Sequence, residues 1–505
     1  MKKYIIILIL IAIALAFLLP FNILLNFAHD DSFFYLKTAD NISKGLGSTF
    51  DGINITNGYH PLYLILLVVI FFIPNLLFNP SPEIMYRVVI LFHFVLVLYI
   101  VIFILKSFFN FYIKENNKQY LISIILLISI LVGIRDFGVE SHLLCIIMAI
   151  YFYIKTIEIK SDKIYFYIKP ILFSLLFLAR TDFFLLVIPF LLISDIIITE
   201  KDKRKKLLIN YFLFLILTAS SYYLFNYTYF HRIDTVSGYL TNGFPIFHLI
   251  GNIKYLISKD ANIFNQFSRL IFCIGAIVSF IIYSFSGKKK DNPQLERILI
   301  GVGIGSLIFI IAHLCFNNYS LREWYLTFPS MIGAIMLSIL ISKLKKNQLL
   351  LNILLVIILI VAVYFSKITS NKFLTSYEYS KKINLTLNKN ERVFQMDMCG
   401  LTGYFSERSI INGDGLVNSY EYLDVLKNRK LKDYLLENNI KYYSTYITKE
   451  INEKDSVFTD SEYTERGYGF DFKFQMKNLV LKESFQWHHL LKNSNGNWYL
   501  FKIDY

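Results

Sequence analysis

The sequence predicts an α-helical polytopic membrane protein that ends in a small α/β domain, and three observations lead to this fold class. Of the 505 residues, 55% are hydrophobic and only 17% are charged, a composition outside the range of soluble globular domains. Apolar runs of about 17–20 residues, the length that crosses ~30 Å of hydrocarbon as a helix, recur as far as Phe365. Beyond Phe365, charges of both signs mix with short β-prone runs. We therefore divide the chain into a transmembrane region, 1–365, and a soluble domain, 366–505.

We predict about eleven to thirteen membrane-spanning helices from the apolar runs. The run near 4–20 has the basic start of a signal peptide, but no small-residue cleavage site follows, so we interpret it as a retained first helix. The stretch around Arg180-Thr181-Asp182 is either one long helix or two short ones that meet at a polar turn. The other runs lie near 61–78, 85–105, 119–134, 141–157, 165–179, 182–199, 207–225, 267–286, 297–316, 326–342 and 348–365.

Clusters of Lys and Arg predict the orientation, because short cytoplasmic loops carry an excess of these residues. The clusters lie at 2–3, 201–206, 288–290 and 343–346. The loop 21–60, the Arg180 turn, the loops 226–265 and 317–325, and the C-terminal domain then face outward. The loop 106–118 also carries lysines, and a cytoplasmic position for it conflicts in parity with an outward 21–60 loop. One segment between 61 and 105 is therefore expected not to cross fully.

The net charge of +14 is spread over these loops and is not concentrated on one soluble face, so it does not indicate a nucleic-acid partner. The four cysteines have no metal-ligand or disulfide spacing. No metalloprotease, phosphate-loop, nucleophile-elbow or dinucleotide-binding motif occurs. The sequence indicates no cofactor, and the need for a divalent metal is left open.

Three runs predict strands in the C-terminal domain, at 392–396, 441–447 and 498–503. Between them, 419–439 has a helical stripe of apolar residues, with Asn418 and Glu421 as a capping box. The turn at 412–415 comes before this helix, either as a plain turn or as a sugar-binding loop.

Two adjacent carboxylates, Asp30 and Asp31, are the predicted catalytic residues. They follow the first apolar run directly, and an ionised group at the membrane interface loses hydration unless it is paired or engaged with a ligand. In glycosyl transfer, such a carboxylate deprotonates the acceptor, while cations hold the phosphate leaving group. The alternative is that one Asp caps the helix that follows, since Asp is a favoured N-cap residue.

Polar residues in the other outward turns are the predicted donor-phosphate or substrate-binding residues. Arginine binds phosphate with two parallel hydrogen bonds, and the outward turns lie on the same side as the acidic pair. The alternatives are solvated corners for the charged turns and an interfacial anchor for the aromatic one. The candidates are His60, Arg135, Arg180, Asp182, Arg322 and Tyr325.

Four segments together resemble bacterial membrane glycosyltransferases of the GT-C class, the broad family of protein mannosyltransferases and lipid A aminoarabinose transferases. They are HDDSFFYLKTADNISKGLGSTFDGINITNGYHPLY, LARTDFF, REWY and GYFSERSIINGDGLVNSYEYLDVLK. The resemblance implies many spans, a catalytic carboxylate in the first outward loop (Asp30 or Asp31) and an outward C-terminal domain. It also implies inverting transfer of a sugar from a polyprenyl-phosphate carrier. The family often has a basic residue before proline where this chain has His60-Pro61, and it commonly has Asp-Glu where this chain has Asp-Asp.

We therefore expect an integral glycosyltransferase of the bacterial plasma (inner) membrane. The expected partners are a polyprenyl-phosphate sugar donor, a cell-envelope acceptor (a lipid, a glycan or a protein) and the lipid bilayer. Two alternatives stay open. One is a transporter or flippase of a lipid-linked or envelope precursor, in which intramembrane charges line a pathway. The other is a non-catalytic partner of an envelope polymerase.

Overall fold

The computed structural model describes residues 2–113, 117–132, 136–157, 162–256, 261–286, 292–319, 321–343, 372–447, 457–460, 472–488 and 493–503. In the transmembrane region the α-helices are α1 (Lys2–Leu18), α2 (Phe21–Leu24), α3 (Asp30–Ser43), α4 (Pro61–Leu77), α5 (Pro82–Ile104), α6 (Asn110–Tyr112), α7 (Asn117–Val132), α8 (Ser141–Thr156), α9 (Asp162–Ala179), α10 (Thr181–Leu186), α11 (Ile188–Ile198), α12 (Lys201–Phe230), α13 (Val236–Thr241), α14 (Leu249–Leu256), α15 (Ala261–Phe285), α16 (Pro293–Phe316) and α17 (Thr327–Lys343).

A helix occupies each predicted span that falls within the described residues, which confirms the helical polytopic fold. In the part of the chain that the structure describes, five helices are long and apolar enough to cross a membrane: Pro82–Phe109, Lys201–Phe230, Gln266–Phe285, Pro293–Phe316 and Glu323–Lys343. The first apolar run bends by 111° into Phe21–Phe27 and adds a sixth if the pair counts as one span. Shorter apolar helices complete the bundle. The run 348–365 lies outside the described residues, so the total of eleven to thirteen stays a prediction.

The stretch around Arg180 is not one long helix, because α9 and α10 meet there at a polar turn. α9 ends at Ala179, and Arg180 has extended backbone angles before α10 begins. A second break at Val187 separates α10 from α11, where Pro189 occupies the first turn. Proline has no backbone N–H to continue the preceding helix. The apolar sequence 165–199 therefore forms three helices, α9, α10 and α11.

The segment between 61 and 105 that does not cross the bundle is α4. Its first end lies beside α3, because the backbone N–H of His60 donates to the Tyr35 hydroxyl at 3.1 Å. Its other end also meets α3, because Asn75 donates to Asp40 at 2.8 Å. Five residues after α4 ends, the Pro82 carbonyl accepts a bond from Tyr404 of the C-terminal domain. A crossing helix of 17 residues would carry its far end about 25 Å away.

One face of α4 is exposed and apolar, with Ile65, Val69, Phe72 and Leu76 each at least half exposed. Lipid would cover such a stripe, and the contacts of both helix ends with α3 place α4 along the edge of the bundle. We therefore interpret α4 as an interfacial helix, which corrects its prediction as a span.

The C-terminal domain begins with α18 (Lys372–Thr386) and contains α19 (Cys399–Phe405), α20 (Tyr420–Lys427) and α21 (Leu431–Glu437). Its strands are β1 (Arg392–Gln395), β2 (Ser409–Asn412), β3 (Tyr442–Ile447), β4 (Val457–Asp460), β5 (Phe472–Gln475), β6 (Leu479–His488) and β7 (Asn493–Lys502). The main sheet has the order β2-β1-β3-β7-β6, with β1 parallel to both β2 and β3 and the other pairs antiparallel. β4 and β5 form a separate pair.

Alternating strand residues pack helices on both faces of this sheet. Phe394 packs with residues of α20 and α21, whereas its neighbour Val393 packs with residues of α18, as the two-residue repeat of a strand requires. The three predicted strands are confirmed, and a small α/β domain with them. The single predicted helix over 419–439 is instead α20 and α21, separated at Arg429, whose φ is +56°. Its N-cap is Ser419 and not Asn418, since the Ser419 hydroxyl accepts from the Tyr422 N–H.

Candidate functional site

Asp30 joins the transmembrane region to the C-terminal domain. Its side chain accepts the backbone N–H groups of Gly400 at 3.0 Å and Leu401 at 2.8 Å. These are first-turn donors of α19, whose own N-cap residue, Met398, makes no side-chain cap bond. Asp30 therefore supplies from another region the oxygen atoms that an N-cap side chain normally provides. Leu401, Tyr404 and Phe405 of α19 lie in the same hydrophobic core as the helical bundle.

Burial dominates the protonation of Asp30. Loss of hydration raises the pKa of this carboxyl from 3.8 to about 7, and the two backbone hydrogen bonds offset only part of that rise. Neither Asp is the N-cap of α3, the alternative that the sequence left open, because the N-cap position is His29 and both Asp residues lie in the first helical turn. There they interact favourably with the helix dipole.

Asp31 is the exposed member of the pair. Its side chain is 35% exposed and lies 3.5 Å from Nδ1 of His29. Burial raises the pKa of this carboxyl, but the His29 imidazole and the Arg322 guanidinium outweigh burial and hold it below its usual value. Asp31 is therefore an ionised carboxylate at neutral pH, and part of its side chain is accessible.

Arg322 comes just before a short 3₁₀ helix, Glu323–Leu326, next to the acidic pair. Burial lowers the pKa of its guanidinium, but Asp31, Tyr255 and Asp397 raise it by more than burial lowers it. The net shift of the Arg322 pKa is therefore upward. Among the described residues, no carboxylate lies within ion-pair distance of Arg322. The guanidinium thus lies near two carboxylates but forms an ion pair with neither of them. This is the situation expected of an arginine that binds an anionic ligand.

Arg180, by contrast, is held by protein carboxylates. It donates two parallel bonds to Asp182, at 2.8 and 3.1 Å, and a third to Glu140 at 2.9 Å. Its guanidinium also stacks 4.1 Å from the centre of the Tyr325 ring. Nε2 of His313 lies 3.0 Å from Asp182 and completes this cluster. The cluster holds the Tyr325 ring in place, and Tyr325 belongs to the same loop as Arg322.

His60 lies at the other side of Glu140. Its Nε2 is 3.7 Å from Glu140, which also accepts a 3.0 Å hydrogen bond from the Tyr35 hydroxyl. Burial lowers the pKa of His60 and outweighs the nearby Glu140 charge, so the imidazole is neutral at pH 7. The structure therefore brings together His60, Arg180, Asp182 and Tyr325, and places Asp31 and Arg322 beside them.

Arg135 lies outside the described residues. The adjacent Asp136 is buried, bonds Thr327 and lies 4.0 Å from Nε2 of His142, so it belongs to the packing beneath the turn. Glu140, in the same charged turn as Arg135, was expected from the sequence to line the site, whereas sequence reasoning missed His313 and Asp397. A polar residue inside an apolar run was the available signal for His313. Within the described residues, no group of three or more His, Cys, Asp or Glu is arranged to hold a metal.

Comparison with known proteins establishes the fold. No family model and no curated protein matches this sequence. Among solved structures, ArnT from Cupriavidus metallidurans in the apo state is similar with a TM-score of 0.53 and 10% identity, and 98% of each chain is covered. ArnT bound to undecaprenyl phosphate gives 0.52 and 9%, again over 98% of each chain. The chain therefore has an ArnT-like fold over nearly its whole length, the C-terminal domain included, as the predicted fold class requires.

Proposed function

We propose that this protein is an inverting glycosyltransferase of the bacterial inner membrane. It would move a sugar from a polyprenyl-phosphate carrier to a cell-envelope acceptor on the outer side. The observation that carries the proposal is the exposed, ionised Asp31 next to Arg322. The fold supports it, since one similar structure, ArnT, is bound to undecaprenyl phosphate.

The two residues suit the two ends of a single displacement. Asp31 removes the proton from the acceptor hydroxyl or amine as the new bond to the anomeric carbon forms. The bond from that carbon to the phosphate oxygen breaks, and the oxygen keeps the electron pair. Arg322 stabilises the charge of the departing polyprenyl phosphate. Asp30 is poorly suited to act as the base, because both of its oxygens accept backbone hydrogen bonds.

The cluster around Arg180 supports this chemistry indirectly. The positive charge of Arg180 is already balanced by Glu140 and Asp182. Arg180 is therefore not a free cation, and its role is to make the Tyr325 loop rigid. Rigid support of this kind keeps a binding residue within the small tolerance that catalysis needs. We therefore assign donor phosphate binding to Arg322 and positioning to Arg180.

The test is transfer by the full-length chain in proteoliposomes, with a panel of undecaprenyl-phosphate-linked sugars and envelope extract as acceptor. Asp31→Asn should lower the rate by about 10²–10⁴-fold, the size of a lost general base. Asp424→Asn is the matched control, since that side chain is 60% exposed on α20 of the C-terminal domain. Normal turnover by Asp31→Asn overturns the assignment. Translocation of the lipid-linked sugar without transfer would instead favour a flippase.

A further inference from the structure

The C-terminal domain brings a third carboxylate, Asp397, to the site. Asp397 follows β1, the strand that lies between its parallel neighbours β2 and β3. The chain leaves β1 toward β2 on one side and later returns to β3 on the other. In parallel sheets, ligands bind at the carboxyl ends of strands where the chain direction divides in this way.

The position of Asp397 relative to Asp31 follows from the domain contact. Gly400 packs so tightly on Asp30 that a Cβ there would lie 2.2 Å from the Asp30 carbonyl oxygen. Asp397 is three residues before Gly400, and Asp31 is one residue after Asp30. Three residues reach at most about 10 Å, so both carboxylates lie close to one point of contact, with Arg322 near both.

Local hydrogen bonds hold Asp397 in place. Gln395 donates to the backbone carbonyls of Asp397 and Met398, at 3.1 and 2.9 Å. Met398 has a φ of +52°, a strained conformation for a residue with a side chain that often occurs at functional sites. The Tyr446 hydroxyl donates to Oδ2 of Asp397 at 3.2 Å. Within the described residues, Oδ1 of Asp397 accepts no hydrogen bond, and the side chain is partly exposed.

We propose that Asp397, held by Tyr446, binds the acceptor, and that the acceptor group is a hydroxyl of a neutral sugar. The inference rests on the proposed transferase function and adds a substrate class to it. Carboxylates accept hydrogen bonds from sugar hydroxyls. Two carboxylates beside one arginine repel a phosphate acceptor, the more so when the donor phosphate occupies Arg322.

The assay uses hexyl glucoside as a neutral hydroxyl acceptor and hexyl phosphate as an anionic one, with the undecaprenyl-phosphate sugar that the wild type consumes. Asp397→Asn should raise the KM for hexyl glucoside about tenfold to a hundredfold, as expected for one lost hydrogen bond to a charged group. Tyr446→Phe should raise it less, since the carboxylate stays. Asp433→Asn, at an exposed position of α21, should change nothing.

Binding of undecaprenyl phosphate, followed by tryptophan fluorescence, distinguishes failure of the transferase function from failure of the acceptor assignment. If the wild type does not bind this carrier, the transferase function itself fails. If it binds, and neither Asp397→Asn nor Tyr446→Phe alters the KM for hexyl glucoside, the acceptor site is elsewhere and Asp31 keeps its role. Preferred transfer to hexyl phosphate overturns the neutral-sugar assignment. Weakened carrier binding in Asp397→Asn assigns the residue to the donor and contradicts the inference.

Discussion

Docking of the C-terminal domain should depend on pH through Asp30. In the folded protein the pKa of this carboxyl is about 7, against 3.8 in water. The native state therefore holds the proton more tightly than the undocked state, and stability is lost as the pH rises toward 7. A shift of about 3 pH units at about 1.4 kcal/mol per unit corresponds to roughly 4 kcal/mol over the full range.

Within the accessible range, about half of this effect is measurable. Between pH 5.5 and 7, docking should weaken by roughly 2 kcal/mol and then level off above about pH 8. Asp30→Asn has no proton to lose, so its docking free energy should lack this slope. The neutral His60 acts in the opposite direction below its ordinary pKa of 6.5, but it is present in both proteins. The difference between wild type and variant at each pH therefore isolates Asp30.

Amide exchange of the α19 peptide, corrected for the intrinsic pH dependence of exchange, measures this docking free energy. The relevant amides include Gly400 and Leu401, which donate to Asp30. Asp424→Asn should retain the wild-type slope. Equal slopes in wild type and Asp30→Asn would refute the reasoning, because they would mean that Asp30 does not change its proton affinity on docking.

Three further predictions concern donor binding, packing and topology. Arg322→Ala should weaken binding of the polyprenyl-phosphate donor by about 1.5–3 kcal/mol, and Arg322→Lys should restore only part of it; a donor titration in which both variants match the wild type makes Arg322 an interface anchor. Gly400→Ala should weaken docking by about 1–3 kcal/mol, since the new Cβ meets the Asp30 carbonyl; unchanged exchange of α19 contradicts this. Asn79→Cys should react with an impermeant thiol reagent from the side of the C-terminal domain, and Lys203→Cys from the other side. The four native cysteines are buried and serve as background, and labelling of both from one side refutes the interfacial position of α4.

Several features of the structure could be predicted from short stretches of the sequence. Helices follow from apolar runs of membrane-spanning length, and strands β1, β3 and β7 follow from β-prone runs in a polar context. The acidic pair was identifiable because two charges at the end of an apolar run need an explanation. Helix ends were less accessible, since Ser419 and Asn418 are both good caps and only the backbone geometry selects Ser419.

Hydropathy and charge act along the chain, so the sequence alone was enough to predict the class of protein, the location of its apolar helices and the acidic pair. Only the tertiary structure distinguished Asp30 from Asp31. The difference comes from Gly400 and Leu401, 370 and 371 residues away from Asp30 in the chain, whose N–H groups engage one carboxylate and leave the other exposed. The same holds for Arg180 and Arg322: both precede aromatic or acidic residues in short turns, but Glu140, 40 residues away in the chain, pairs with Arg180. Which charged side chain finds a hydrogen-bond or ion-pair partner therefore depends on residues that only folding brings together. The neighbouring sequence does not reveal them.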